Sequence, residues 1–375
     1  MAVHPQSRTD SAPITPRAGA RRGRLPRKLR GALLGALWLV AAPLASASSG
    51  GIETSDVVSD GQEVTIRGSG FGEKPDAKPL YFWDFGHGST ASSPLSRLKY
   101  KDAIRGTLSR AVVATGSKSA LQVETGGNDK PAGPENGVHF ASDSLYVWIK
   151  HRYEFDVRKS SGPNGFNLKA FRLWYPFTNN LYIAYQGTGG SIIHPVGTQE
   201  SGTWFQMRPK ADAWVIDEYD YKTSGIGAKD GVLQFAHDGV RAWGPDTRFV
   251  MRSEAMPQRY ELLFFDQVSN NEIAKGTYQY IDSIYVDDSR QRVVLSDEPS
   301  WRDTVNNGPE SHREVQIPVR WSDREIRIVV RQGSFDSLAH TYLYVIDADG
   351  QPVSTHGYAV TARDAPTAPK GVNVH

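Results

Sequence analysis

The chain has 375 residues, enough to bury two cores, with 43 basic against 41 acidic side chains, ten histidines and no cysteine. The missing cysteines exclude disulfides, thiol catalysis, cysteine metal sites and a lipid-modified N-terminal cysteine, so stability outside a cell must come from packing. The positive balance is local: residues 1–47 carry eight of the basic residues and one acidic one, Asp10, leaving 35 against 40, and that mildly acidic body with no basic cluster argues against nucleic acid as a partner.

Those first 47 residues read as a secretory signal. Arg21, Arg22, Arg24, Arg27, Lys28 and Arg30 lead into the apolar stretch Ala32 to Leu44 and then Ala45-Ser46-Ala47, the basic, apolar, small-residue order of a cleaved export sequence. The apolar run is short for a membrane span, and no later segment approaches the required length. A soluble exported product, extracellular or periplasmic, is expected; an uncleaved anchor is the competing reading.

From there the chain reads as β nearly throughout. DGQEVTIRGSGFG (Asp60 to Gly72) is a strand running into a Gly-rich turn with one aromatic. Runs rich in β-branched and aromatic residues follow at Leu80 to Phe85, Ser119 to Glu124, Ser144 to Val157, Phe166 to Trp174, Leu181 to Gln186 and Trp204 to Arg208. More come at Gly231 to His237, Arg259 to Gln267, Tyr278 to Val286 and Arg292 to Leu295, with Gly, Pro, Asn and Asp between them. A turn around Ser96 to Arg105 is the one weak helical candidate. About ten strands in roughly 230 residues suit a two-sheet jelly roll, whose concave face can hold an extended ligand. Near the end, WSDREIRIVVRQGSF (Trp321 to Phe335) and TYLYVIDADGQPVS (Thr341 to Ser354) are two further strands, with Asp347 to Gly350 as a hairpin turn. The Pro-rich residues 361–375 read as a flexible tail.

The strand and turn at Asp60 to Gly72 resemble the opening of the IPT/TIG immunoglobulin-like family, and Trp321 to Ser354 resembles its closing strands. The resemblance implies one small split domain, residues 52–78 with 313–360, holding residues 79–312 as an insert. Val64 and Ile66 would then pair with, or pack on, Ile326 to Val330 and Tyr342 to Ile346; two separate terminal domains, or coincidental strand-turn patterns, are the alternatives. The insert, in FNLKAFRLW (Phe166 to Trp174) and QYIDSIYVDDSRQRVVLSD (Gln279 to Asp297), resembles the concanavalin-A-like jelly rolls of lectins, glycan-binding modules, polysaccharide lyases and glycosidases. The expected class is all-β: a large concanavalin-like sandwich plus a small Ig-like one. That superfamily spans many activities and does not by itself assign one.

In FNLKAFRLW a strict period of two sets Leu168, Ala170, Arg172 and Trp174 on one face and Asn167, Lys169, Phe171 and Leu173 on the other. A cation beside a large aromatic suits sugar recognition, Trp174 stacking on a pyranose and Arg172 binding hydroxyls or a carboxylate; a buried aromatic with an edge arginine on loop carbonyls is the bland alternative. Glu154 and Asp156 share a strand face as paired carboxylates of glycosidases can, but Lys159 stands where the family's E-x-D-x-x-E pattern needs its second glutamate. The lyase resemblance implies an arginine, glutamine or asparagine neutralising a uronate and a histidine or tyrosine taking its C5 proton. Arg172, His194, His237, Tyr182 and Tyr185 are eligible by type, though the family motifs Q-I-H and R-T-E-L-R are absent.

QFAHDGVRAWGPDTR (Gln234 to Arg248) offers His237 and Trp243 as groove contacts if it is a rim loop, or is an ordinary hairpin. Asp282, Asp287 and Asp288 could hold a structural calcium through oxygen ligands, but their spacing matches no calcium loop and turn-forming aspartates explain them equally well. The ligand-binding candidates are thus Arg172, Trp174, Lys169, Tyr182, His237 and Trp243. No cofactor is expected, and three functions stay open: a secreted protein binding an extracellular or cell-wall polysaccharide, a lyase cleaving a uronate glycan by β-elimination, and a non-catalytic surface or matrix protein.

Overall fold

The computed structural model describes residues 50–362 except 101–103, 125–129, 135–136, 158–166, 176–178, 187–190, 197–202, 206, 208, 245, 269–275 and 306–311. Residues 1–49, Lys159 and residues 363–375 lie outside the described residues, and with them the expected export signal and nearly all of the expected tail. The described chain is all-β. It forms two eight-stranded and two four-stranded sheets, antiparallel in every pairing of named strands, and its helical segments are a short 3₁₀ turn at Phe85–His87 and one α turn at Trp301–Thr304. Of the span Ser96 to Arg105, the described residues are not helical: Ser96, Arg97 and Leu98 donate their backbone N–H groups to Ser93, Pro79 and Leu80, and Ile104–Arg105 is a strand. No helix among the described residues is long and apolar enough to cross a membrane.

The two large sheets pack face to face. One, the central sheet, contains Ser144–Tyr153, Trp214–Lys222, Val232–His237 and Tyr278–Asp287. The other, the outer sheet, is built around Asn167–Tyr175, Asn179–Gln186, Ser191–Val196 and Leu262–Val268. Alternation delivers Val147, Ile149, Tyr219 and Phe235 from the central sheet and Leu168, Phe171, Leu173 and Ile183 from the outer one into a single apolar core. Phe171, Tyr219 and Phe235 stack in series across that core, with centroids 4.4 and 5.1 Å apart.

Both ends of the body meet in the pair of four-stranded sheets. Glu63–Ser69 lies antiparallel to Glu325–Val329, with Val64 opposite Ile328 and Ile66 opposite Ile326. Phe71, the aromatic of the Gly-rich turn, is buried with these valines and isoleucines and with Val293, Leu295, Leu343 and Val345 of the facing sheet. Gly70 and Gly72 flank it at φ 74° and 71°, backbone that a side chain disfavours. Arg292–Ser296, expected in the larger sandwich, instead pairs along its length with Tyr342–Ile346. Its Val293 and Leu295 share no alternation with the large core, and their inward face is completed by the chain's two ends.

The small sandwich covers the back of the central sheet. Phe82, Tyr146, Trp148 and Tyr285 of that sheet pack on Val315 and Ile317, which explains why SLYVWIKHRY is buried at nearly every position. Charged groups in the junction are matched. Arg331 reaches Glu314, Ser283 Oγ at 2.8 Å and Asp282 Oδ2 at 3.1 Å, and its guanidinium lies over the Trp148 ring. Lys150 lies 3.3 Å from Glu314, and Lys74 lies 2.5 Å from Asp287.

Candidate functional site

With the back of the central sheet occupied, the outer sheet's outward face is where partly exposed functional side chains collect. The alternation expected for FNLKAFRLW does not survive: the pairing register of Asn167–Tyr175 slips between Lys169 and Phe171 against Asn179–Gln186, while against Leu262–Val268 it runs unbroken. Ala170 is the extra residue of a β-bulge. Leu168, Ala170, Phe171 and Leu173 all enter the core, while Lys169, Arg172 and Trp174 stay partly exposed. Leu168 and Ala170 are therefore not on the face of Arg172 and Trp174, and Lys169 joins it.

The Arg172 guanidinium lies 4.7 Å from the centroid of the Trp174 ring, and the Lys169 ammonium 5.5 Å from that of Tyr182, both cation–π distances. Phe264 packs on Trp174 at 5.8 Å. Backbone register sets one row across four strands: Phe264, Arg172, Tyr182 and His194; the side chain of His194 lies outside the described residues. Burial raises the Tyr182 phenol above its ordinary pKa, with Arg172 pulling the other way, so at neutral pH Tyr182 is a hydrogen-bond donor and proton holder, not a phenolate. Two cations, an indole and a phenol on one face can bind a hydroxylated, anionic ring compound.

His237 and Trp243 are not on this face. Asp238 and Gly239, at φ 45° and 82°, form the two-residue turn joining Val232–His237 to Val240–Arg241, an Asp-Gly hairpin. The alternation of Val232–His237 then aims His237 inward, where Nδ1 lies 2.6 Å from Asp217 Oδ1. Trp243 packs against the core and donates Nε1–H to the Leu233 carbonyl at 2.8 Å. The aspartates expected to cluster are dispersed: Asp282 goes to Arg331 and Ser117, Asp287 to Lys74 and Tyr285, and Asp288 to Arg97. No group of three metal-ligating side chains occurs among the described residues. Glu154 accepts from the Tyr278 amide and the Tyr280 hydroxyl, holding a strand end.

The strand Trp214–Lys222, whose mixed apolar and acidic composition does not mark it as a strand, supplies the least expected feature of the core. Asp217 is fully buried between His151 and His237 and also accepts from Tyr185 and Tyr219, at 3.2 and 3.3 Å. A carboxylate can only accept, so His151 Nε2 carries the proton it offers, 3.1 Å away, and Nδ1 is left to accept from Gln279 at 3.2 Å. Burial pushes the Asp217 carboxyl up, but His237 and then His151 outweigh it and hold the group well below the usual carboxylate range. Burial likewise pulls the His237 imidazole down, and Asp217 outweighs that, leaving it above its ordinary value. Tyr185 comes from the outer sheet and Asp217 from the central one, so this polar knot ties the two sheets together behind the exposed face.

No family model and no curated protein matches the chain. Among solved structures it is similar to an alginate lyase Aly36B mutant in complex with alginate tetrasaccharide, at 14% identity and TM-score 0.33 over 45% of this chain and 80% of that one. It is also similar to the alginate lyase vAL-1 from Chlorella virus, at 14% identity and TM-score 0.34 over 50% and 91% of the two chains. A third similar structure is the endo-beta-1,4-glucuronan lyase from the fungus Trichoderma reesei, at 14% identity and TM-score 0.34 over 56% and 95%.

Proposed function

We propose that this is an exported carbohydrate-directed protein that binds an acidic extracellular or cell-wall polysaccharide on the outward face of its outer sheet. The supporting observation is the bulge at Ala170, which gathers Lys169 and Arg172 on the same face as Trp174 and Tyr182. Arg172 would take a uronate carboxylate in a bidentate pair while the indole covers the apolar side of a sugar ring, and Lys169 would add a second cation. The small sandwich, read as an Ig-like frame made from both ends, would hold this domain without disulfides.

A second reading, β-elimination, is favoured by the row Arg172, Tyr182 and His194 across three adjacent strands. Arg172 would neutralise the uronate, a base in the row would remove the C5 proton, and the C4–O bond would break as its oxygen is protonated. Tyr182, kept protonated by burial, suits the acid role and leaves the base role to His194.

Incubation with alginate, glucuronan, hyaluronan and pectin, followed by affinity electrophoresis and ultraviolet detection of a new C4=C5 double bond, separates the readings. Retention without new absorbance supports the binding protein. Absorbance produced by the wild type and lost in Arg172→Ala supports the lyase. Neither signal on any of the four polymers would sink both readings and leave a surface or matrix protein.

A further inference from the structure

A second cleft lies at one end of the large sandwich, apart from the face just described. Its volume is about 730 Å³ and it opens between Tyr175, Leu98, His139 and the segment Gln258 to Glu261, a size that accommodates one or more sugar rings. Tyr81 and Phe140 form its floor, both nearly buried.

Its polar groups differ in kind from those around Arg172. The cations at its edge are already neutralised: Arg97 pairs with Asp76 and Asp288, and Arg259 lies 2.8 Å from Asp143. Glu261 is exposed and, among the described residues, its carboxylate meets no cation; only its backbone is engaged, with Trp174 and Phe140. Gln258 Oε1 is buried and has no hydrogen-bond partner, a costly state for an amide oxygen. The unmet demand in this cleft is therefore for donors. A carboxylated sugar brings acceptors and negative charge, which Glu261 repels. A neutral saccharide brings hydroxyl donors for Glu261 and, on rotation of the Gln258 amide toward the cleft, for its Oε1, together with an apolar ring face for Tyr175 and Leu98.

We infer that this end cleft is a separate binding site for neutral, hydroxyl-rich saccharides. The protein would thereby engage two glycan chemistries at once, acidic on the outer sheet and neutral at the sandwich end. The inference does not depend on the acidic-polysaccharide reading, because the two sites share no side chain.

Isothermal titration of the protein with cellohexaose, mannohexaose and xylohexaose, beside a glucosamine hexamer and an alginate hexamer, tests it. At least one neutral hexamer should bind with a Kd near or below about 1 mM. Glu261→Gln and Gln258→Ala should each weaken it about tenfold, the first with an unchanged thermal midpoint because Glu261 is exposed and the second without a lower one because the buried amide oxygen it removes has no partner, and Arg172→Ala should leave it intact. Binding of a neutral hexamer that is lost in Arg172→Ala and kept in both cleft variants would overturn the assignment. So would binding of the glucosamine hexamer alone, of the alginate hexamer alone, or of none.

Discussion

The Arg172 guanidinium sits 4.7 Å from the centroid of the Trp174 ring, two positions along the same strand and on the same face. Such a pair pre-orients the cation beside a flat apolar surface, lowering the ordering cost of ligand binding. Trp174→Ala should weaken binding of an acidic polysaccharide by about tenfold or more, as loss of a central aromatic contact does. Lys169→Ala should cost less and chiefly flatten the dependence on salt, since its contribution is a screened charge. Affinity electrophoresis at two salt concentrations reads both effects.

Asp217→Asn should be among the most destabilising single changes in the large sandwich, by about 3–5 kcal/mol, because it strips His237 of its counter-charge and His151, Tyr185 and Tyr219 of the carboxylate they donate to. Urea unfolding should show a lower midpoint at unchanged slope.

The same cluster predicts a pH profile. Asp217 has a lowered folded pKa, so its contribution is full above the unfolded carboxylate value of about 3.9 and is lost as pH falls through the folded one. His237 has a raised folded pKa, so its contribution is full below about 6.5 and is lost as pH rises through the folded value. The wild-type urea midpoint should peak between these limits, and Asp217→Asn should weaken both flanks, the acid one keeping the share that Glu314 contributes.

At the junction of the sandwiches, Glu314 is pushed up by burial but held at about 2 by Lys150 and Arg331. Its contribution is present above the unfolded value of about 4.3 and disappears as pH falls toward about 2. Arg331→Met should cost about 3–5 kcal/mol and move acid unfolding to higher pH, while adding Glu314→Gln should recover only a small part of the loss, because it leaves buried Lys150 without its carboxylate. A double-mutant cycle in urea measures the coupling.

Tyr185→Phe removes one hydroxyl from Asp217 and with it a tie between the two large sheets. The expected cost is about 1 kcal/mol, and amide exchange in Asn179–Gln186 should quicken more than in Ser144–Tyr153.

How much of this was legible in the sequence differs by element. Strands rich in β-branched, aromatic and other apolar residues, such as Val232–His237 and Tyr278–Asp287, stand out from composition alone. Trp214–Lys222 does not, because its inward series Val215, Asp217, Tyr219 and Tyr221 contains a carboxylate and its outward side carries Glu218 and Asp220. Only the two histidines on neighbouring strands make that acid tolerable, and they are distant in sequence. The Lys169 and Arg172 face was similarly hidden: period two is interrupted by one bulged residue, and nothing in FNLKAFRLW marks Ala170 as that residue. Arg172 and Trp174 were legible as a cation beside an aromatic, whereas the inward turn of His237 depends on where the Asp238-Gly239 hairpin begins.

The most direct test of acidic-glycan binding on the outer sheet is side-chain NMR. Alginate and glucuronan trisaccharides would be titrated into the protein while the Arg172 Nε–H and Trp174 Nε1–H resonances are followed. Saturable shifts of both, absent in Arg172→Ala for the indole, are the predicted result. Saturable binding that leaves both resonances unmoved, or no binding of either trisaccharide, would contradict it.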